Sequence, residues 1–256
     1  MNRPWKISFC LITLNEEAQL GRCLESFAGL ADEVVVVDSG SRDRTVEIAR
    51  DFGARVMGEP WRGYVGQKNF AIEHASHSWI FSIDADEALS PRLREEIARL
   101  RSGEEPARVS GYSMPRCVFY RGRWIRHGDW YPDRLVRLFR KDRARFAGGQ
   151  VHERLEIEGE IEPLQGDLEH YSFTDAEDFR KRGEHYARLW AETKLSEGRS
   201  AGVGSALLHA AHRWVRGYVF RAGFLDGQRG WEIAGLCARE VYLKYSMLRA
   251  KGRHRG

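Results

Sequence analysis

Three carboxylates fall within four residues at the end of one apolar run. In "WIFSIDADEALSP" (79–91) residues 79–83 are almost wholly apolar, and Asp84, Asp86 and Glu87 follow at once. A half-buried strand alternates, and a surface loop has no use for so apolar an approach. The pattern therefore reads as a buried strand that delivers acids to the edge of a sheet. Aspartates at D-x-D spacing on the loop after a strand point the same way and can share one hard cation, their oxygens suiting Mg²⁺ or Mn²⁺. Such a cation clamps a diphosphate and neutralises a leaving phosphate. A solvated acidic turn ahead of a capped helix has the same composition, so D-x-D alone favours neither reading.

The surrounding elements favour chemistry. "KISFCLITL" (6–14) and "DEVVVVDSG" (32–40) read as buried strands, "ARVM" (54–57) as a short third and "WIFSIDADE" (79–87) as the fourth. Helices alternate with them. "NEEAQLGRCLESFAGL" (15–30) has Asn15 as N-cap and Leu20, Leu24 and Phe27 on one face. "SRDRTVEIARDFGA" (41–54) closes on Gly53, and "GYVGQKNFAIEHAS" (63–76) is the third helix. "SPRLREEIARLRSG" (90–103) starts with Ser90 as cap and Pro91 in the first turn. This rhythm means an α/β fold with a mostly parallel sheet and right-handed crossovers, whose ligands bind beyond the carboxyl ends of the strands. Acidic loops at 15–17, 38 and 84–87 then gather on one edge.

The second half differs. Residues 111–146 alternate aromatic and basic residues and read as antiparallel hairpins; from Asp175 onward the pattern is helical. "SALLHAAHRWVRGYVFR" (205–221) puts Leu207, Ala211, Trp214 and Tyr218 on one face, and "WEIAGLCAREVYLKYSMLRA" (231–250) does the same with Ala234, Cys237, Val241, Tyr245 and Leu248. No signal peptide opens the chain, and no uncharged apolar run approaches the ~18 residues of a membrane span. The four cysteines show neither CxxC nor disulfide spacing, and Cys10 and Cys23 read as buried free thiols, which points to the cytosol. Residues 199–256 hold eleven Lys/Arg against three Asp/Glu, while the preceding 198 residues are net acidic. A basic tail on an acidic body meets something anionic.

Four separated motifs, in order, resemble the family 2 glycosyltransferases of GT-A fold over residues 5–172. They are the strand-end segment "SFCLITLNEE", "DSGSRDRT" (38–45), "GYVGQKNFA" (63–71) and "DAD" (84–86). Ser39 stands where that family usually has a second acid. More narrowly, "PDRLVRLFRKD", "GGQVHERL" and "AGFLDGQRG" are similar to the bacterial lipopolysaccharide inner-core β-1,4-glucosyltransferases, a likeness that spans nearly the whole chain. The resemblance implies a GT-A domain over 1–172, with the donor side in 1–110 and the acceptor side in 111–172. A basic helical extension follows over 173–256.

It also implies roles. Thr13, Asn15 and Glu16 would line the donor site, and Asp38 would hydrogen-bond the uracil or ribose. Asp84 would meet the ribose or the metal, and Asp86 would ligate a divalent ion, Mg²⁺ or Mn²⁺, with His170 as a further ligand. Gln67 and Lys68 would lie beside the donor, with Lys68 on the diphosphate. Glu153 in "VHERL" would be the general base, while His152 beside it either takes the proton itself or orients the acid. In "DRLVRLFRK" the three-residue spacing of Arg134, Arg137 and Arg140 suits a phosphate of donor or acceptor, Arg137 above all, or equally a solvated basic edge strand.

The expected activity is an inverting sugar transfer, glucose from a UDP-linked donor, to the inner-core heptose region of a lipid-anchored lipopolysaccharide or to another lipid-linked or polysaccharide acceptor. The protein would sit at the cytoplasmic face of the membrane, held by its basic helices. A nucleotide-sugar nucleotidyltransferase would open with a Gly-rich basic loop after its first strand, where this chain has "TLNEE". No GxGxxG follows that strand either, against a dinucleotide oxidoreductase. Nucleic-acid binding through the tail is disfavoured because its aromatics fall at core-like helical spacing.

Overall fold

The computed structural model describes residues 4–148, 153–171 and 176–253. Strand β1 (Ile7–Thr13) leads to helix α1 (Leu20–Ser26), β2 (Glu33–Asp38), α2 (Thr45–Asp51), β3 (Arg55–Gly58), α3 (Gly63–His74) and β4 (Trp79–Ser82). These four strands lie parallel in the order β3-β2-β1-β4, as the strand–helix alternation requires. The inner strands β1, β2 and β4 are largely apolar on both faces because helices cover both: Phe9, Phe27 and Phe81 stack within one core, while Val35, Val37 and Ile80 meet α3 in the other.

Beyond β4 the sheet turns antiparallel. Strand β5 (Glu87–Leu89) and helix α4 (Pro91–Ser102) precede the long β6 (Val109–Tyr120), whose end pairs with β7 (Arg123–Ile125). Then β8 (Asp133–Arg140) inserts between β4 and β6, β9 (Ala144–Gly148) pairs with β10 (Glu153–Ile157), and β11 (Glu160–Pro163) lies on β6. The last strand, β12 (Leu168–His170), pairs with β5, so that His170 stands opposite Glu87. Ser90 caps α4, its Oγ accepting from the Leu93 amide.

Two details depart from the sequence reading. The fourth strand ends at Ser82, so Asp84 and Asp86 lie in the connection that follows and Glu87 opens β5. Asn15 does not cap α1, which starts at Leu20; it adopts φ 57 and its side-chain oxygen accepts from the Arg42 amide in the neighbouring loop.

The chain forms two compact units, residues 1–116 with 133–170, and residues 117–132 with 171–256. In the second, α5 (Ala176–Ser196) and α6 (Ser205–Val215) both pack on α7 (Gln228–Arg253). Its core joins Tyr120, Ile125, Ile233, Leu236 and Cys237. The α7 face holds as expected, with Ala234, Cys237 and Leu248 buried. On the α6 face Leu207 and Ala211 are exposed. All four cysteines are buried free thiols.

Candidate active site

The site lies in the first unit, at the carboxyl ends of β1, β2 and β4. Two of its loops are zipped together by reciprocal bonds. The buried Asp38 carboxylate accepts from Thr13 Oγ1 (3.0 Å), Ser41 Oγ (2.5 Å) and the amides of Gly40 (2.9 Å) and Ser41 (2.8 Å). The Asn15 amide donates to Ser41 Oγ, the Glu16 amide to Thr45 Oγ1, and the Glu17 amide to Asp43. Short Asp, Asn and Ser side chains can replace backbone partners in this way, which lets two irregular loops keep one shape. Ser39 Oγ accepts from Gln67 Nε2, a fully buried amide on α3 that also donates to the Glu59 carbonyl. The residue standing in place of the second acid thus ties the loop to a helix.

After β4 the chemistry is ionic. Lys68, on α3 and only 4% exposed, places its ammonium 2.9 Å from Asp84 Oδ1 and 2.7 Å from Glu153 Oε1. Arg137, buried on β8, donates from one nitrogen to Asp84 Oδ2 (2.6 Å) and Glu87 Oε1 (2.7 Å). Burial works against the Asp84 charge, but the Arg137 and Lys68 cations outweigh it and hold this carboxyl far below its usual range. Glu87 shares the same guanidinium yet is almost completely buried, and its desolvation together with the Asp84 charge pushes its carboxyl up. Burial opposes the Arg137 charge too, and its two carboxylate partners more than restore it. Asp84, Arg116, Arg134, Arg137, Phe146 and Glu153 line a cavity of about 420 Å³.

One turn position further, Asp86 Oδ2 stands 3.3 Å from His170 Nε2, both only partly exposed. The β12–β5 pairing causes this approach across 84 positions of sequence. The half-buried Glu16 carboxyl is pushed up by its burial and by the charges of Asp86, Asp43 and Asp84, an electrostatic record that the three acidic loops converge. A divalent ion fits the Asp86–His170 pair. Their separation is close to the ~3 Å between neighbouring ligands at ~2.1 Å from an octahedral centre; the carboxylate oxygen suits Mn²⁺ or Mg²⁺, and the imidazole nitrogen suits the softer Mn²⁺ better than Mg²⁺. Among the described residues no third His, Cys, Asp or Glu joins them to hold a metal.

Of the expected site residues, Thr13, Asn15, Glu16, Asp38 and Gln67 belong to the bonded loops, Lys68, Asp84, Arg137 and Glu153 to the ionic cluster, and Asp86 and His170 to a pair of their own. Asp38 accepts from Thr13, Gly40 and Ser41, while Lys68 and Arg137 both contact Asp84, with Glu153 and Glu87 as their respective second partners. His152 lies outside the described residues. The sequence reading missed Ser41, Asp43 and Thr45 as loop organisers, although Asp-x-Gly-Ser is a recognisable turn signal. It also missed Arg116, which faces Asp133 at 2.6 Å and Glu87 at 4.0 Å and carries no local signal at all.

The family model for glycosyl transferase family 2 matches residues 8–154. An uncharacterised glycosyltransferase of Rickettsia typhi is 31% identical over 253 residues, covering 95% of this chain and 87% of its own. The lipopolysaccharide core biosynthesis glycosyltransferase LpsC of Rhizobium meliloti is 32% identical over 255 residues, covering 94% and 93%. Among solved structures, glucosyl-3-phosphoglycerate synthase from Mycobacterium tuberculosis, in complex with Mn²⁺, UDP and glucosyl-3-phosphoglycerate, is 28% identical over 46% of this chain and 45% of that chain, with a TM-score of 0.34. S. aureus TarS 1–349 is 14% identical with a TM-score of 0.46, covering 98% and 92%. At these TM-scores neither superposition assigns a role to a residue. The chain belongs to glycosyl transferase family 2, and its activity is glycosyl transfer.

Proposed function

We propose that this glycosyltransferase moves glucose from UDP-glucose to the inner-core heptose region of a lipid-anchored lipopolysaccharide, with inversion at the anomeric carbon. The observation that carries this reading is the Asp86–His170 pair at the edge where three acidic loops converge, in a family 2 chain. The similarity to LpsC, named for lipopolysaccharide core biosynthesis, supports the acceptor class.

Asp86 and His170 would hold the divalent ion, which when bound would neutralise charge on the leaving diphosphate. Asp84 is kept ionised and fixed by Lys68 and Arg137, and the zipped loops at 15–17 and 38–45 shape the nucleoside side. An acceptor hydroxyl attacks the anomeric carbon as the bond to the diphosphate oxygen breaks, and its proton passes to Glu153. UDP leaves with the bonding pair. No enzyme nucleophile is needed. Residues 1–110 serve the donor, residues 111–172 the acceptor, and the basic helices over 173–256 the membrane that carries it.

The test is steady-state turnover with UDP-glucose, Mn²⁺ and heptose-terminated lipopolysaccharide. Glu153→Gln should lower kcat by about 10²–10⁴-fold while UDP binding stays near wild type, because a base acts only in the transition state. Near-normal kcat in Glu153→Gln would remove the base assignment; no transfer from UDP-glucose in the wild type would remove the donor.

A further inference from the structure

The second unit carries a surface that glycosyl transfer does not use. After α6 the backbone widens into a π-helical turn (Arg216–Phe220), reaches Ala222 at φ 55, and closes in a 3-10 turn (Gly223–Asp226) before α7. Glycines let this connection pack tightly. A Cβ at Gly230 would lie within 1.7 Å of the Gly223 carbonyl oxygen, and one at Gly223 within 2.7 Å of the Gly217 carbonyl oxygen. So close-packed a backbone would ordinarily turn its large apolar side chains inward. Here they point out: Phe220 is 78% exposed, Leu225 60%, and Val219, Phe224 and Trp231 about half. Tyr218 joins Phe224 and Trp231 in edge-on contacts, so the patch is aromatic and contiguous.

Cations are fixed beside it. Asp129, its side chain 1% exposed, lies 2.9 Å from Arg213 and 2.7 Å from Arg216, with Arg221 at 3.7 Å. One carboxylate against three guanidiniums leaves two positive charges in excess, on side chains that remain a third to a half exposed. An apolar aromatic tip with arginines held at its base suits one environment: the interface of an anionic bilayer, where phosphates meet guanidiniums and rings enter the acyl boundary.

We propose that the α6–α7 connection is a shallow insertion tip, with Val219, Phe220, Phe224, Leu225 and Trp231 entering an anionic phospholipid surface and Arg213, Arg216 and Arg221 on the lipid phosphates. The proposal rests on the reading of the acceptor as lipid-anchored and adds burial to the charge attraction already ascribed to the tail. Insertion is interfacial, since no helix of the described residues is long and apolar enough to cross a membrane.

The experiment is co-sedimentation of the full chain with phosphatidylcholine vesicles, with and without phosphatidylglycerol, at low and high salt. The variants are Phe220→Asp/Leu225→Asp and, as control, Ile161→Asp on the exposed β11. Wild type and Ile161→Asp should bind the anionic vesicles alike and keep part of that binding in high salt. The double variant should bind at least about tenfold more weakly and lose all binding in high salt, with an unchanged Tm. Equal binding by the double variant, fully released by salt, overturns insertion and leaves charge attraction alone. Wild-type protein that ignores anionic vesicles overturns both. A wild-type dimer that the double variant converts to monomer, without vesicle binding, gives the patch to a second copy instead. UDP-glucose turnover by the same preparations without vesicles reports separately on glycosyl transfer.

Discussion

Lys68 shows what residue type alone leaves unsaid: its ammonium is divided between Asp84 and Glu153 and almost wholly buried. The pairing joins positions 16 and 85 residues away, so no local spacing signals it. Asp86 and His170 were legible as candidates because aspartate after a strand and a histidine late in the domain are types that bind metal, but only the β12–β5 pairing makes them neighbours. Removing Lys68 tests its role as a counter-ion. Lys68→Met leaves the cation–carboxylate cluster one charge short, and the uncompensated carboxylates should cost about 1–3 kcal/mol, below the loss for a fully buried pair because Asp84 and Glu153 are each about a third exposed. Chemical denaturation measures it; a variant as stable as the wild type would show that Arg137 alone suffices.

At the scale of elements the α/β half was readable and the loops were not. Four apolar strands with helices between them dictate a parallel sheet, and the observed order β3-β2-β1-β4 follows. Residues 15–19 misled because "NEE" before an apolar periodicity is a helix-start signal, whereas here Asn15 and Glu17 bond to the loop after β2. The opposite end of the sheet has its own clasp. The Glu33 carboxylate, at the start of β2, accepts from Ser8 Oγ on β1, from the Ser76 amide and hydroxyl before β4, and from Arg55 on β3. Burial pushes its pKa up, but these hydrogen bonds prevail and bring it down to about 2. A depressed carboxylate adds stability above its unfolded pKa of about 4.3, and this is lost as pH falls through the folded value. Thermal unfolding from pH 6 down to pH 2 should therefore show the wild-type advantage over Glu33→Gln shrinking below about pH 4.3. A Tm difference that is flat across this range would contradict the clasp.

For the whole molecule, composition pointed to a basic helical tail on an acidic body, and the helices are there; periodicity put Leu207 and Ala211 on one face of α6, and the structure leaves both exposed. An apolar stripe has the same period whether it meets a core or a lipid surface, so the sequence pattern could not separate the two. Nor could it show that residues 117–132 belong with the helices, since that grouping depends on Tyr120 and Ile125 meeting α7 side chains more than a hundred positions away. The proposed function rests on a small set of side chains in the first unit, and a charge-removing, shape-keeping substitution isolates it. Transfer from UDP-glucose to heptose-terminated lipopolysaccharide is to be followed for wild type and Asp86→Asn, each stripped with chelator and then titrated with Mn²⁺. The wild type should fall silent without the ion and recover with it, while Asp86→Asn, equally stable, should remain about 10²–10³-fold slower at any Mn²⁺ concentration. Full activity in Asp86→Asn, or wild-type turnover that ignores the chelator, would contradict the account.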